Sequence, residues 1–264
     1  MFRLICILIG YIFGNILTAE IVARKYARKS AFDIGSGNPG MANIMAQCGF
    51  KPGIFVLIGD LLKTVLPCLL CGFLLYPEYR AFATAWAGLG AVIGHNYPVW
   101  HKFRGGKGVS STCAVLFCIH PLWGILAMIV GMLGVFITQY LPYGGVLIPL
   151  AFVPIAYFKF SMEMTLIAAA LTVIMLIRHI PGFAGIKTGK EKKINVPALI
   201  RKKLFSNKEN KDEQGKSPEN MDKEAEQDKS PENIDKEAEQ DKSTENIDKR
   251  TEQDKSAGNT DKET

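Results

Sequence analysis

The 264-residue chain is 48% hydrophobic, and its charge divides it in two: residues 1–205 hold 20 Lys and Arg against 6 Asp and Glu, while residues 206–264 hold 11 against 19. A uniform soluble globule is excluded. So is a nucleic-acid binder inferred from the net charge of +6, because the basic residues stand between apolar runs.

In chain order, apolar runs at 4–22, 53–75, 81–99, 109–137 and 144–177 predict helices through a bilayer, whose core takes about 20 apolar residues per crossing. The fold class expected is an all-α polytopic membrane protein of five to seven transmembrane helices, some of them broken. Arg3 precedes the first run and Arg24, Lys25, Arg28 and Lys29 follow it. This flanking charge, and the spans that follow, set it apart from a cleaved signal peptide. Basic residues concentrate in 23–52 (five), 100–108 (three) and 178–205 (eight). If those segments are cytoplasmic, the N-terminus lies outside, the C-terminus inside, and the span number is odd. Five spans result if 109–137 and 144–177 each cross once. Seven result if His120-Pro121 and 159–163 are turns.

Asp60 and Lys63 lie inside the second run at i,i+3. They either pair to brace the bundle or leave Lys63 facing an anionic site. Cys68 and Cys71 have C-x-x-C spacing inside an apolar stretch. With Cys6, Cys48, Cys113 and Cys118, they read as small packing residues rather than a metal or redox site. Residues 1–205 are expected as the membrane domain and 206–264 as a charged tail. From Ser217 the tail repeats a 13-residue unit at Ser230, Ser243 and Ser256. It has too little apolar surface to offset the entropy of ordering, so disorder is expected. Its role is either a solvated spacer or a docking site for a protein partner. Arg201, Lys202 and Lys203 just before it suit an anionic lipid surface.

Polar and glycine-rich sequence gathers in the three basic segments. The first holds Gly35, Ser36, Gly37, Asn38, Gly40 and Asn43. The second holds Gly94, His95 and Pro98, then Phe103, Gly105, Gly106, Lys107 and Gly108. The third holds Arg178 and His179, then Gly189 and Glu191. Successive glycine N–H groups can converge on one oxyanion, a following helix start adds its positive end, and Lys107 adds a full charge. This is phosphate-binding chemistry, but not a nucleotide P-loop, because Gly108 stands where Ser or Thr must follow the Lys. A neutral imidazole at 179 could accept a proton from a hydroxyl. The same basic loops would suit an anion transporter, but beyond Asp60, Lys63 and Glu163 no polar path crosses the bilayer.

Together the three segments resemble the bacterial acyl-phosphate:glycerol-3-phosphate acyltransferases, integral membrane enzymes that make lysophosphatidic acid. The resemblance covers about residues 1–194 and all three family motifs in order, with Gly59, Asp60 and Lys63 similar to the family's intramembrane pair. It implies a cell-membrane enzyme that transfers an acyl group from acyl phosphate to the 1-hydroxyl of glycerol 3-phosphate, with no metal, coenzyme A or other cofactor. It further implies that Gly105, Gly106, Lys107 and Gly108 hold the glycerol phosphate, while Ser36, Asn38, Asn43 and Arg178 hold the acyl phosphate and the hydroxyl. His179 would orient or deprotonate that hydroxyl, and His95, Asp60, Lys63 and Glu191 would support the site. Membrane lipid is the implied surrounding, and no nucleic acid is involved. Where the family usually has Arg, Asn and Arg, this chain has Ala46, Gly182 and Gly185, with Lys187 and Lys190 the nearby cations. Those departures carry the alternative: a non-catalytic or altered-specificity paralogue acting as partner or regulator of lipid synthesis.

Overall fold

The structure is a computed structural model that describes residues 1–191, 193 and 194. The repeat tail and the basic residues 201–203 lie outside the described residues. Within them the chain folds into helices α1 (Phe2–Gly14), α2 (Thr18–Ala27), α3 (Met41–Cys48), α4 (Phe50–Leu69), α5 (Arg80–Asn96), α6 (Val109–Ile119), α7 (Pro121–Thr138), α8 (Leu141–Lys159) and α9 (Met162–Lys187), and a π-helical stretch Leu70–Leu75 prolongs α4. Five segments are long and apolar enough to cross a membrane: Phe2–Ala27, Phe50–Leu75, Pro121–Thr138, Leu141–Lys159 and Met162–Lys187. Two shorter helices join them. α5 has 17 residues, most of them buried. α6 has 11, which at 1.5 Å per residue is about 16 Å, half the hydrocarbon thickness.

Both interruptions in the long apolar runs are breaks. His120 is extended, φ −159°, between α6 and α7, and Pro121 then starts α7 where its missing N–H costs nothing. Ser161 caps α9 by accepting from the Met164 N–H at 3.3 Å. Counting α1 with α2 and α4 with its π-helical end, and setting aside the eight-residue α3, seven helical segments follow one another. The first apolar run, expected as one helix, also breaks between Gly14 and Thr18. Asn15 explains this: its Nδ2 donates to the Tyr11 carbonyl (2.6 Å) and its Oδ1 accepts from the Val99 N–H (2.7 Å), so its side chain competes with the helix ladder.

Close helix packing sets the arrangement. Gly10 and Gly14 on α1 face the backbone of Ala87 and Ala91 on α5, and Gly90 and Gly94 on α5 face Ile7 and Tyr11 on α1. A Cβ at any of the four would run into a main-chain carbonyl, so the two parallel helices meet backbone to backbone, as small residues allow in lipid. Further contacts (Gly88 with Val115, Gly124 with Leu116, Gly131 with Ile148, Gly182 with Pro142) make successive helices from α5 to α9 antiparallel. A core of Leu89, Val92, Leu116, Phe152, Leu171 and Met175 fills the space between them. At the end of the bundle that holds the N-terminus, Arg3 donates twice to Glu163 (2.6 and 2.8 Å) and the Trp86 indole donates to the same carboxylate (2.7 Å), tying α1, α5 and α9 together. The opposite end gathers the loops after α2, α5 and α7 and the end of α9. The three motif segments therefore share one end of the bundle.

Candidate active site

The loop before α3 is held from inside. Buried Asn43 accepts from the Ser36 N–H (3.0 Å) and donates to the carbonyls of Ala31 (3.3 Å) and Ile34 (3.0 Å). Its amide, expected at a substrate phosphate, is engaged on three sides by its own loop. Glu20, which the motif reading did not single out, accepts from the Ala31 N–H (2.8 Å), the Ser30 hydroxyl (2.9 Å) and Arg24 (2.7 Å). Its signal in the sequence was a lone carboxylate at the end of an apolar run, four residues before an Arg. Ser36 is exposed and Asn38 half-buried at the loop tip, where the Ser36 hydroxyl accepts from the Asn38 N–H at 3.4 Å.

The second loop lies against the first at Gly106. A Cβ there would meet the His95 ring and, at 2.8 Å, the Pro39 carbonyl; only glycine lets the two loops close on each other. The Gly106 N–H donates to the His95 carbonyl (3.1 Å). Arg178 reaches across from α9 to donate to the carbonyls of Gly105 (2.6 Å) and Gly106 (3.1 Å), with its guanidinium 5.4 Å from the Tyr97 ring centroid. Arg178 and Asn43, both expected at the substrate, hold loop backbone here. With the 106 carbonyl turned to Arg178, the Lys107 N–H of the same peptide points the other way. Gly108 then takes φ +81°, beyond the reach of ordinary side chains, and starts α6. The N–H groups of Lys107, Gly108, Val109, Ser110 and Ser111 donate to nothing among the described residues, so a row of free donors meets the positive end of a helix dipole. Lys107 is half-buried, its Nζ near Gly182 of α9, 3.7 Å from where a Cβ would stand.

His179 is fully buried one turn before Gly182. Its Nδ1 lies 2.8 Å from the Met175 carbonyl. A carbonyl only accepts, so Nδ1 carries the proton, and in the neutral ring Nε2 keeps a lone pair. That edge faces Gly145 on α8, where a Cβ would stand 2.5 Å from Nε2. Deeper in the bundle, Asp60 and Lys63, 2% and 4% exposed, pair at 2.8 Å. The Lys63 ammonium also donates to the Ile16 carbonyl in the α1–α2 break (2.7 Å) and lies 2.8 Å from His95 Nδ1. Asp60 accepts from the Thr18 hydroxyl at 2.6 Å. All three ammonium hydrogens have acceptors, so Lys63 braces the bundle. Glu191 packs over Gly185, its Oε2 3.4 Å from the position a Cβ would take, and its N–H donates to the Gly185 carbonyl (3.1 Å). The third segment therefore folds back on the end of α9. Asn96, Ser111 and Thr112 are buried around the start of α6 without hydrogen-bond partners among the described residues, and sequence spacing gave no sign of them.

With this geometry in place, comparison with known proteins names the fold. The glycerol-3-phosphate acyltransferase family model matches residues 4–189. A glycerol-3-phosphate acyltransferase 1 of Lactobacillus johnsonii is 37% identical over 204 residues, covering 77% of this chain and 98% of that protein. A glycerol-3-phosphate acyltransferase of Shouchella clausii is 34% identical over 193 residues, covering 71% and 94%. The crystal structure of PlsY (YgiH), an integral membrane glycerol 3-phosphate acyltransferase, in its glycerol 3-phosphate form, superposes with a TM-score of 0.65 at 24% identity, covering 75% of this chain and 98% of that one. The chain belongs to the glycerol-3-phosphate acyltransferase family.

Proposed function

We propose that the chain transfers an acyl group from acyl phosphate to the 1-hydroxyl of glycerol 3-phosphate, giving lysophosphatidic acid and inorganic phosphate. The observation that supports this most is the meeting of three polar segments at the start of α6. Free N–H donors, the Lys107 ammonium and a buried histidine whose Nε2 keeps its lone pair gather there, at one end of an otherwise apolar bundle. In this reading the donors of Lys107, Gly108 and the first turn of α6 hold the phosphate of glycerol 3-phosphate. Ser36 and Asn38, at the tip of the facing loop, contact the acyl phosphate. His179 Nε2 takes the hydroxyl proton. Arg178 and Asn43 act as positioning residues that keep the two loops in register, and Glu191 closes the end of α9. The acyl chain runs between helices into the bilayer.

The chemistry asks little beyond placement. An acyl phosphate is a mixed anhydride with a good leaving group, so holding the hydroxyl against the carbonyl carbon and stabilising charge are sufficient. The hydroxyl oxygen forms a bond to that carbon while its proton passes to His179. The C–O bond to phosphate then breaks, phosphate leaves with the electron pair, and the proton returns to phosphate. We also place the loop end of the bundle in the cytoplasm, with the N-terminus outside, following the basic segments. Residues 1–205 are taken as the catalytic domain and 206–264 as a solvated tail available to a protein partner.

The test is the Lys107→Ala variant of the full chain. Removing the charge-assisted contact should raise the KM for glycerol 3-phosphate at least about tenfold, for a loss of about 1.5–3 kcal/mol. An unchanged KM would contradict the assignment of the phosphate to this loop.

A further inference from the structure

The two buried imidazoles of the site are fixed in opposite tautomers. His179 donates from Nδ1 to the Met175 carbonyl and so keeps its lone pair on Nε2. His95 is the reverse. Its Nδ1 lies 2.8 Å from the Lys63 ammonium, against 3.6 Å from Asp60 Oδ1. An ammonium has only hydrogens to give, so Nδ1 must accept, and the neutral ring carries its proton on Nε2. Nothing in the network can reverse this cheaply. The other two Lys63 hydrogens are held by Asp60 and the Ile16 carbonyl, and Asp60 is held in turn by Thr18.

The Nε2 edge of His95 faces the seam between the two glycine loops. It stands against Gly106, where a Cβ would overlap it, with the Pro39 carbonyl on the other side of the same space. His95 is 3% exposed, and its Nε2–H donates to nothing among the described residues. A membrane bundle that builds a buried Asp–Lys–His chain to aim one N–H at the seam of its loops provides for an acceptor there.

We propose that His95 is a substrate-facing hydrogen-bond donor, whose Nε2–H takes the charge that develops on the acyl carbonyl oxygen of acyl phosphate. This rests on the acyl-transfer reading above. As the hydroxyl oxygen bonds to the carbonyl carbon, the carbonyl π pair moves onto its oxygen and is received by Nε2–H. As phosphate leaves, that pair re-forms the double bond. His95 neither gains nor loses its proton. A donor fixed in advance inside a water-poor site stabilises such charge without reorganising. Asp60 and Lys63 are positioning residues that act through the tautomer of His95.

The experiment is steady-state kinetics of the full chain in detergent, with His95→Ala and His95→Gln measured beside the wild type. A donor used mainly in the transition state predicts a kcat about 100-fold lower in His95→Ala, with both KM values within about threefold. The carboxamide N–H of Gln reaches the Nε2 region and should restore about tenfold of that loss. An unchanged kcat would overturn the proposal. So would a loss confined to the KM for glycerol 3-phosphate, which would make His95 a prop for the phosphate loop. Should His95→Ala not fold, the wild type carries the test through nitrogen NMR of the histidine-labelled protein. The signal missing from His95→Gln must show its proton on Nε2; a proton on Nδ1 would overturn the proposal. A wild type without acyl transfer would contradict the functional reading, and the tautomer measurement would still decide the His95 assignment independently.

Discussion

A guanidinium that donates to two consecutive carbonyls fixes the peptide planes between them. Arg178 does this to Gly105 and Gly106, and the consequence is the direction of the Lys107 N–H. Lysine carries the same charge but cannot make the fork. Arg178→Lys should therefore keep the fold and raise the KM for glycerol 3-phosphate about tenfold, the size of one lost charge-assisted hydrogen bond; saturation kinetics would show it, and an unaffected KM would argue that the loop holds its shape alone. Asn43 works on the other loop in the same way. Asn43→Ala would leave two carbonyls and one N–H of that loop without their partner, at about 1–3 kcal/mol for each group that water cannot reach. The expected result is a lower thermal midpoint together with weaker acyl-phosphate saturation. These two residues also show what the sequence leaves open. Beside a glycine loop, a polar side chain that faces a ligand and one that ties down the loop look alike in sequence, because both need short reach and spare donors. Asn15 and Glu20 were missed for the same reason.

At the scale of elements, the hydropathy pattern carried nearly all of the helices, because each must cover its backbone in lipid whatever its neighbours do. Whether 109–137 and 144–177 each form one helix or two was open, since an apolar run looks the same on either side of a tight break. Local chemistry places the breaks: Pro121 at a helix start and Ser161 as a cap. Helix partners were less legible. The spacing of Gly10 with Gly14 and of Gly90 with Gly94 is the sequence feature that foretells the α1–α5 contact. Because a Cβ at Gly90 meets the Ile7 main chain, a larger residue must force the helices apart. Overpacking of this kind costs about 1–3 kcal/mol, so Gly90→Leu should lower the thermal midpoint by several degrees, about 2–4 °C per kcal/mol in a domain of this size. A midpoint equal to the wild type would mean that α1 and α5 can separate without loss.

For the whole molecule, the seven helical segments leave the N-terminus at one end of the bundle and all three motif segments at the other. The basic residues beside those segments set the expected orientation. A cysteine added before Met1 should react with a membrane-impermeant maleimide in intact cells, and Lys102→Cys only after permeabilisation; the opposite pattern would invert the proposed topology. The described site residues end at Glu191, and the family model matches residues 4–189, so removing residues 206–264 should leave kcat and both KM values of the purified protein unchanged. A loss would give the repeats a direct part in catalysis. The departures at Gly182 and Gly185 meet their strongest test at this scale. Gly182 packs on Pro142 beside Lys107, and Glu191 covers Gly185, so neither position is an empty socket.

The most direct measurement is acyl transfer by the purified full-length chain, supplied with palmitoyl phosphate and labelled glycerol 3-phosphate, following phosphate release and labelled lysophosphatidic acid together. The account predicts equal amounts of both products from the wild type and a steep loss of both in Lys107→Ala. Phosphate release without labelled product, or no turnover from folded protein that still binds glycerol 3-phosphate, would contradict it.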